Sequence, residues 1–404
     1  MTNPIVGSKV ILGVTGSIAC YKAADLASRL TQQGAQVDVI LTQGAGNFIT
    51  PLTFLSLTHR PVISDLFDLR SEQAVWHVTM AHNADVIVVA PATANVIAKL
   101  ANGLADDALT TTILASSSPL AVAPAMDGYM FDNPATQENL SKLKERGVTI
   151  IGPAEGHLAS GLSGVGRLVE VPHIVDNIRA ILGRNGDLAG RSVVVSAGGT
   201  QEPIDPARVI TNRSSGKMGY AVAEAARDRG ANVTLVTAPT SLPTPGRVDM
   251  KYVTTVADMR QAVLSACIGA DVLIMAAAVS DYRPAQVASQ KIKKEEDGRG
   301  MTIDLVKNAD FFLEVPEGVL RVGFAAESEN LLVNARKKIA SKGLALIAAN
   351  DITAPDSGFN VDTNIVTMID RDGGMEELPL LSKYDVGHRI LDRVVQLLSG
   401  PMAP

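Results

Sequence analysis

The chain has 404 residues, of which 46% are hydrophobic and 19% charged, and a formal net charge of −6. That length exceeds one ordinary core and predicts two or three globular domains. The negative balance, with no basic block beyond Lys291-Ile292-Lys293-Lys294, argues against a nucleic-acid surface, and no apolar run approaches the ~20 residues of a membrane span.

Two cysteines, Cys20 and Cys267, stand far apart and offer neither a disulfide framework nor zinc spacing. The start of the chain reads as a first strand, not a signal peptide, so a cytoplasmic protein is expected. Lys9–Val14 is β-branched and apolar and breaks at a glycine turn. A helical stretch Ile18–Leu30 follows, Gly34 stops it, and Val37–Thr42 reads as the next strand. Such alternation predicts a parallel sheet with helices on both faces. The rhythm restarts near residue 191. Ser192–Ser196 reads as a strand, Gly198-Gly199-Thr200 as a turn, Tyr220–Arg229 as a helix and Asn232–Thr237 as a strand. The expected fold class is α/β: two tandem Rossmann-like three-layer domains with mostly parallel sheets, over 1–185 and 190–404. The stretch Gly183–Gly190 would join them.

In the first half, Gly13-Val14-Thr15-Gly16-Ser17-Ile18 follows a strand and opens a helix. Glycines there let a backbone approach a phosphate, and free N–H groups meet it. The six-residue dinucleotide fingerprint is missing, so a plain strand–helix turn fits as well. Val86–Ala90 ends in Pro91-Ala92-Thr93-Ala94-Asn95, at a carboxyl strand end where open parallel sheets bind ligands. Further on come Pro124-Ala125-Met126-Asp127 and the glycine-rich run Leu158–Arg167, which suits a mobile flap over a site. His77 reads either as a base or as a histidine packed at a strand edge; His82 is the weaker candidate.

These pieces, in this order, resemble the flavin-dependent cysteine decarboxylases over about residues 9–180. The resemblance implies FMN held by Gly16, Ser17, Ile18, Thr42, Pro91, Ala92, Thr93 and Asn95, with His77 as base. It also implies that Met126 and Asp127 clamp the substrate carboxylate, and that Ser160 occupies the place of a proton-donating cysteine. Decarboxylating a cysteine amide needs an electron sink beside the carboxylate, which a flavin supplies. Two positions depart from the family's pattern: Asp127 replaces an asparagine and Ser160 a cysteine. An aspartate repels a carboxylate unless it is protonated or paired, and a hydroxyl is a far weaker acid than a thiol. Three readings follow. Another group or a water donates the proton, which is the preferred one; the flap aligns differently; or this half is a non-catalytic or regulatory flavoprotein domain.

In the second half, Ser214-Ser215-Gly216-Lys217 precedes a helix. It reads as an anion site without Walker A spacing, or equally as a helix cap with a surface lysine. The segment Ile210-Thr211-Asn212-Arg213-Ser214-Ser215-Gly216-Lys217-Met218-Gly219 closely resembles the phosphopantothenate–cysteine ligases, and the likeness runs over about residues 190–398. It implies CTP as co-substrate, Mg2+, and an acyl cytidylate stabilised by Asn212. Lys291 would neutralise phosphate charge, and Asp281 would meet the nucleotide through the metal. Nucleotide and substrate contacts would fall on Ser214, Ser215, Gly216, Lys217, Met275, Ala276 and Ala277. Ala309, Asp310, Phe311, Phe312, Phe324, Lys338 and Lys342 would complete them. Lys338 and Lys342 are four apart and share a helix face, whereas Lys293 and Lys294 read as a solvated loop.

Together the halves imply coenzyme A biosynthesis from phosphopantothenate and cysteine. The resemblance also implies a homo-oligomer, with trimeric flavin domains and dimeric ligase domains closing into a dodecamer. A nicotinamide oxidoreductase is the generic competitor, but neither glycine turn carries its fingerprint.

Overall fold

The computed structural model describes residues 3–66, 76–293, 301–327, 331–351, 358 and 360–399. The chain divides into two compact units, residues 3–182 and 183 onward. Lys294, of the basic run, lies outside the described residues.

The first unit runs β1 (Lys9–Val14), α1 (Cys20–Gln32), β2 (Gln36–Leu41), α2 (Pro51–Thr58), β3 (Val62–Ile63), α3 (Trp76–Asn83), β4 (Val86–Ala92), α4 (Ala94–Asn102), α5 (Ala108–Leu114) and β5 (Leu120–Pro124). It continues with α6 (Gly128–Asp132), α7 (Pro134–Glu145), β6 (Thr149–Ile150), β7 (Ala154–His157), β8 (Ser163–Arg167) and α8 (Val171–Leu182). Its parallel sheet has the order β3-β2-β1-β4-β5-β6. The strands are apolar on both faces because each face is covered. Val10, Leu12 and Val14 pack with Leu26 and Leu30 of α1 and Ile178 of α8, while Ile11 of the same strand packs with Ile97, Leu109 and Leu140 on the other side. Each fully buried Leu contributes on the order of 1.5–3 kcal/mol. Helix starts follow local chemistry: Thr93 and Asn133 accept backbone N–H groups as N-caps, and Pro51 and Pro134 occupy first helical positions.

The second unit runs β9 (Ser192–Ala197), β10 (Gln201–Asp205), β11 (Arg208–Thr211), α9 (Lys217–Arg227), β12 (Asn232–Thr237), β13 (Asp249–Tyr252), α10 (Val256–Ala266), β14 (Val272–Met275), β15 (Tyr282–Pro284) and β16 (Leu305–Lys307). Then come β17 (Leu320–Glu327), α11 (Leu331–Lys342), β18 (Leu346–Asp351), β19 (Thr363–Asn364), β20 (Val366–Asp370), β21 (Met375–Glu377), β22 (Leu381–Ser382) and α12 (Lys383–Ser399). The main sheet has the order β13-β12-β9-β14-β17-β18-β20-β21, in which β20 runs antiparallel to both of its neighbours, β18 and β21. Val193 and Val195 face α9 and α12, and Val194 faces the core beneath α10 and α11. Helix α9 lies flat on β9 because Gly219 has no side chain: a Cβ there would stand 2.6 Å from Ala197 Cβ and 2.7 Å from the Ser196 carbonyl. The expected fold class, tandem Rossmann-like halves with mostly parallel sheets, is therefore the one observed.

Three local expectations change. The stretch after the Gly198-Gly199-Thr200 turn, where the sequence offers no strand, is an antiparallel hairpin, β10–β11, with a bulge between Pro203 and Asp205. The flap Leu158–Arg167 belongs to a second hairpin, β7–β8, with Ser160 at its tip. His77 stands on a helix, α3, not at a strand edge.

Candidate active site

Open parallel sheets bind ligands where the strand order reverses, beyond the carboxyl ends of the two strands that flank the reversal. In the first unit that point lies between β1 and β4. The turns leaving these strands are tied together. Thr15, fully buried, donates to the Pro91 carbonyl (2.7 Å) and accepts the Thr93 N–H (3.0 Å). Thr42, after β2, donates to the Val14 carbonyl (3.3 Å). Gly16, Ser17, Ile18, Thr42, Pro91, Ala92 and Thr93 thus share one end of the sheet, and Asn95 lies exposed in the first turn of α4. The floor has no room for a side chain at Gly16: a Cβ there would come within 2.8 Å of the Gly44 carbonyl carbon. Small polar side chains and a missing Cβ at the start of a helix suit a flavin phosphate.

The clamp segment and the flap meet directly. Met126 N–H donates to the Gly166 carbonyl (2.9 Å), and β8 comes so close that a Cβ on Gly166 would lie 2.4 Å from the Met126 carbonyl oxygen. Ser160 Oγ donates to Asp127 Oδ2 (2.6 Å), and Asp127 Oδ1 accepts the Tyr129 N–H (3.0 Å) as the N-cap of α6. The two residues that depart from the family pattern are therefore hydrogen-bonded to each other. His77 has its Nδ1 buried with no hydrogen-bond partner among the described residues, and its ring stands edge-on to Trp76 (centroids 5.5 Å apart). A buried imidazole nitrogen without a partner is uncommon in a packed interior.

In the second unit the order reverses between β9 and β14. Here the turns are stitched by Ala278 N–H to the Gly198 carbonyl (2.8 Å), Thr200 N–H to the Ala278 carbonyl (3.3 Å) and Ala277 N–H to Ser196 Oγ (3.1 Å). A cavity of about 570 Å³ opens at this point. Its lining includes Asn212, Ser214, Ser215, Gly216 and Lys217 on one side. Met275, Ala276, Ala277 and Asp281 follow β14, and Ala309, Asp310, Phe311, Phe312, Phe324, Lys338 and Lys342 complete it. Lys291 is not among the lining residues and is exposed.

Asn212 Nδ2 donates to the Ala278 carbonyl (3.2 Å). Gly216 adopts a left-handed conformation (φ 78°) that starts α9, so the first N–H groups of that helix open at the cavity. Lys217 donates to the Asn360 carbonyl and to Asp362 (2.7 Å each), and its charge holds the Asp362 carboxyl low. Lys342 pairs with Asp310 (2.9 Å) and sits 5.5 Å from the Phe312 ring centroid. Burial pushes the Asp310 carboxyl up, but the Lys342 hydrogen bond, the Phe312 N–H and the nearby lysine charges outweigh it and keep the group low.

Lys383 and Asn364 also line the cavity and are not among the residues expected from the sequence. Lys383 is 5% exposed and donates to the Gly358 carbonyl (2.8 Å) and to that of Val361. Burial, then the charge of Lys217, lowers its pKa to about 8. Its only sequence signal is a lysine opening the last amphipathic helix, which a solvated N-terminal lysine would share.

Among the described residues no group of three metal-ligating side chains comes together. Two carboxylates line the cavity, Asp281 and the Lys342-paired Asp310; so small a set fits an ion that takes most of its oxygens from phosphates and water, as Mg2+ does. No helix among the described residues is long and apolar enough to cross a membrane.

The family described as Flavoprotein matches residues 2–183, and the DNA/pantothenate metabolism flavoprotein C-terminal domain matches residues 188–398. The coenzyme A biosynthesis bifunctional protein CoaBC of Bacillus subtilis (strain 168) is 47% identical over 394 residues, 96% of this chain and 97% of its own. The chain belongs to the CoaBC family. The CoaBC protein of Escherichia coli (strain K12) is 44% identical over 398 residues, 97% of each chain. Among solved structures, the C-terminal domain of a CoaBC protein is 39% identical, covers 53% of this chain and 98% of that one, and superposes with a TM-score of 0.45.

Proposed function

We propose that the chain converts phosphopantothenate to phosphopantetheine, with ligation on residues 190–404 and decarboxylation on residues 1–185. As a CoaBC-family member it is a bifunctional enzyme of coenzyme A biosynthesis. The cavity at the second reversal point carries the reading, because it gathers helix N–H groups, lysines, two carboxylates and aromatic side chains in one place. In the ligation, the carboxylate of phosphopantothenate attacks the α-phosphate of CTP and pyrophosphate leaves. The cysteine amine then attacks the acyl carbon of the cytidylate, and CMP departs.

Asn212 holds the acyl cytidylate, and Ser214 to Lys217 at the start of α9 meet anionic groups of the substrates. Asp281 shares Mg2+ with the phosphates, and Lys291 neutralises charge during the transfer. Met275, Ala276, Ala277, Ala309, Asp310, Phe311, Phe312, Phe324, Lys338 and Lys342 form the nucleotide's enclosure.

In the first unit FMN would be held by Gly16, Ser17, Ile18, Thr42, Pro91, Ala92, Thr93 and Asn95. When bound, it supplies reversible oxidation of the substrate thiol, which makes the neighbouring carboxylate labile. His77 accepts a proton at its buried Nδ1. Met126 and Asp127 face the substrate carboxylate, and the Ser160 hydroxyl occupies one Asp127 oxygen, which softens the repulsion between two carboxylates. Because that hydroxyl proton points at Asp127, a water or another group delivers the final proton to product. The exposed apolar side chains of Ile18, Tyr21, Phe48 and Leu52 favour a homo-oligomer, in our reading a dodecamer of trimeric flavin units and dimeric ligase units in the cytoplasm.

The test is incubation of the purified protein with phosphopantothenate, cysteine, CTP and Mg2+, with products identified by mass spectrometry. Phosphopantetheine is expected. Phosphopantothenoylcysteine accumulating alone would leave a ligase fused to a non-catalytic flavoprotein domain, and no coupled product would overturn both halves.

A further inference from the structure

The β10–β11 hairpin leads into the ligation site at one end and grips a second segment at the other. At its turn the Asp205 side chain is fully buried and accepts five N–H bonds. Oδ1 takes the backbone N–H groups of Ala207 (2.8 Å) and Arg208 (2.9 Å). Oδ2 takes Arg208 Nε (3.0 Å) and Nη2 (2.5 Å), and the backbone N–H of Ile292 (3.1 Å). Arg208 Nη2 also donates to the Ile292 carbonyl (2.8 Å), and Ala288 N–H donates to the Ile204 carbonyl (3.0 Å).

One ion pair therefore holds both the N–H and the C=O of Ile292. That N–H belongs to the peptide linking Lys291 to Ile292, so the carboxyl end of Lys291 is fixed through it. Strand β11 starts at Arg208 and leads directly into Asn212, which is bonded to Ala278 beside the cavity. Four residues of strand, ~13 Å, thus set the spacing between Asn212 and the Lys291 segment.

We propose that Asp205, together with Arg208, is a positioning residue for ligation: it fixes the Lys291–Ile292 peptide in the register from which Lys291 reaches the nucleotide phosphates. The proposal rests on the role given above to Lys291. The Arg208 hydrogen bonds hold the Asp205 carboxyl near 2 against the opposing effect of burial, helped by the Ala207 and Ile292 N–H groups, so the grip persists through the working pH range.

The experiment uses the full chain with phosphopantothenate, cysteine, CTP and Mg2+ and reads pyrophosphate release at steady state. Asp205→Asn keeps the size of the side chain but removes its charge. It should lower kcat by roughly 10- to 100-fold with little change in KM for CTP. Lys291→Met sets the reference, and the double variant should be no slower than Lys291→Met alone, because Asp205 acts through that lysine. Ile292→Pro removes the N–H that Asp205 accepts, while also fixing φ at 292, and should reproduce the kcat loss, which carries the test if Asp205→Asn fails to fold. A wild-type rate in Asp205→Asn beside a slow Lys291→Met overturns the positioning role and leaves Lys291 in place. Equal losses in the presence and absence of Lys291 mark Asp205 as merely structural and overturn it too. A wild-type rate in Lys291→Met removes the role on which the proposal rests.

Discussion

Single atoms decide much at both sites. At Gly16 the deciding atom is a missing one: a Cβ would meet the Gly44 backbone at 2.8 Å, and backbone cannot rotate away as a side chain could. Gly16→Ala should therefore open the turn between β1 and α1. We expect a protein that purifies with little flavin, read as visible absorbance per chain, while ligation proceeds at the parent rate. Full flavin occupancy in that variant would mean that the turn does not carry the phosphate. At His77 the residues alone favour packing and the family resemblance favours a base, and in the structure its Nδ1 is buried without a partner among the described residues. Lys383 shows the reverse situation. Its importance comes from burial beside Lys217, and burial at a helix start 166 residues from Lys217 has no local signature in the chain.

At the scale of elements, the parallel strands are legible because strands covered on both faces must be apolar throughout, as in Val86–Val89 and Val193–Val195. The two hairpins are not. In β10, Pro203 and a bulge interrupt the alternation that marks a strand, and in β8 glycines take the place of strand-forming side chains. Both hairpins are held by contacts distant in sequence: Asp205 to Ile292, and Ser160 to Asp127. The β7–β8 hairpin offers a direct prediction. Ser160→Cys restores an acidic proton at the tip of the flap and should raise the decarboxylation rate, with the gain lost as pH rises through the thiol pKa. Ser160→Ala uncovers an Asp127 oxygen and should raise KM for the acylcysteine substrate more than it lowers kcat. Steady-state rates of carbon dioxide release across pH separate the two effects, and unchanged KM in the alanine variant would show that the hydroxyl does not shield Asp127.

For the whole molecule, acid stability should be set in the second unit. His388, on α12, is 3% exposed, and neither ring nitrogen has a hydrogen-bond partner among the described residues. Burial, then the charge of Arg229, pushes its pKa down from 6.5 to about 4. The folded state therefore binds fewer protons than the unfolded chain between these values. Stability is full above about 6.5, falls as pH drops, and has lost about 3 kcal/mol by the time pH passes below about 4. His388→Leu should flatten this loss. Hydrogen exchange along β9 and β12 is the proper readout, since the single tryptophan, Trp76, lies in the other unit and reports only on that one. An unchanged acid slope in the leucine variant would assign the loss to other groups.

The short segment after α8 has a practical meaning for anyone who cuts the chain in two. A Cβ on Gly183 would fall 1.9 Å from the Asp228 carbonyl oxygen and one on Gly186 2.5 Å from that of Arg229, so this segment lies pressed against the end of α9. It also brings Leu188, fully buried, and Asp187, which pairs with the buried Arg229 guanidinium (2.8 Å to Nε). A ligase fragment beginning at Gly183 keeps these groups. One beginning at Gly190 leaves Arg229 with Asp392 as its carboxylate partner among the described residues and an empty slot where Leu188 sat. The longer fragment should be the more stable by on the order of 3 kcal/mol, and seven extra residues would separate a soluble excised enzyme from one that precipitates on expression.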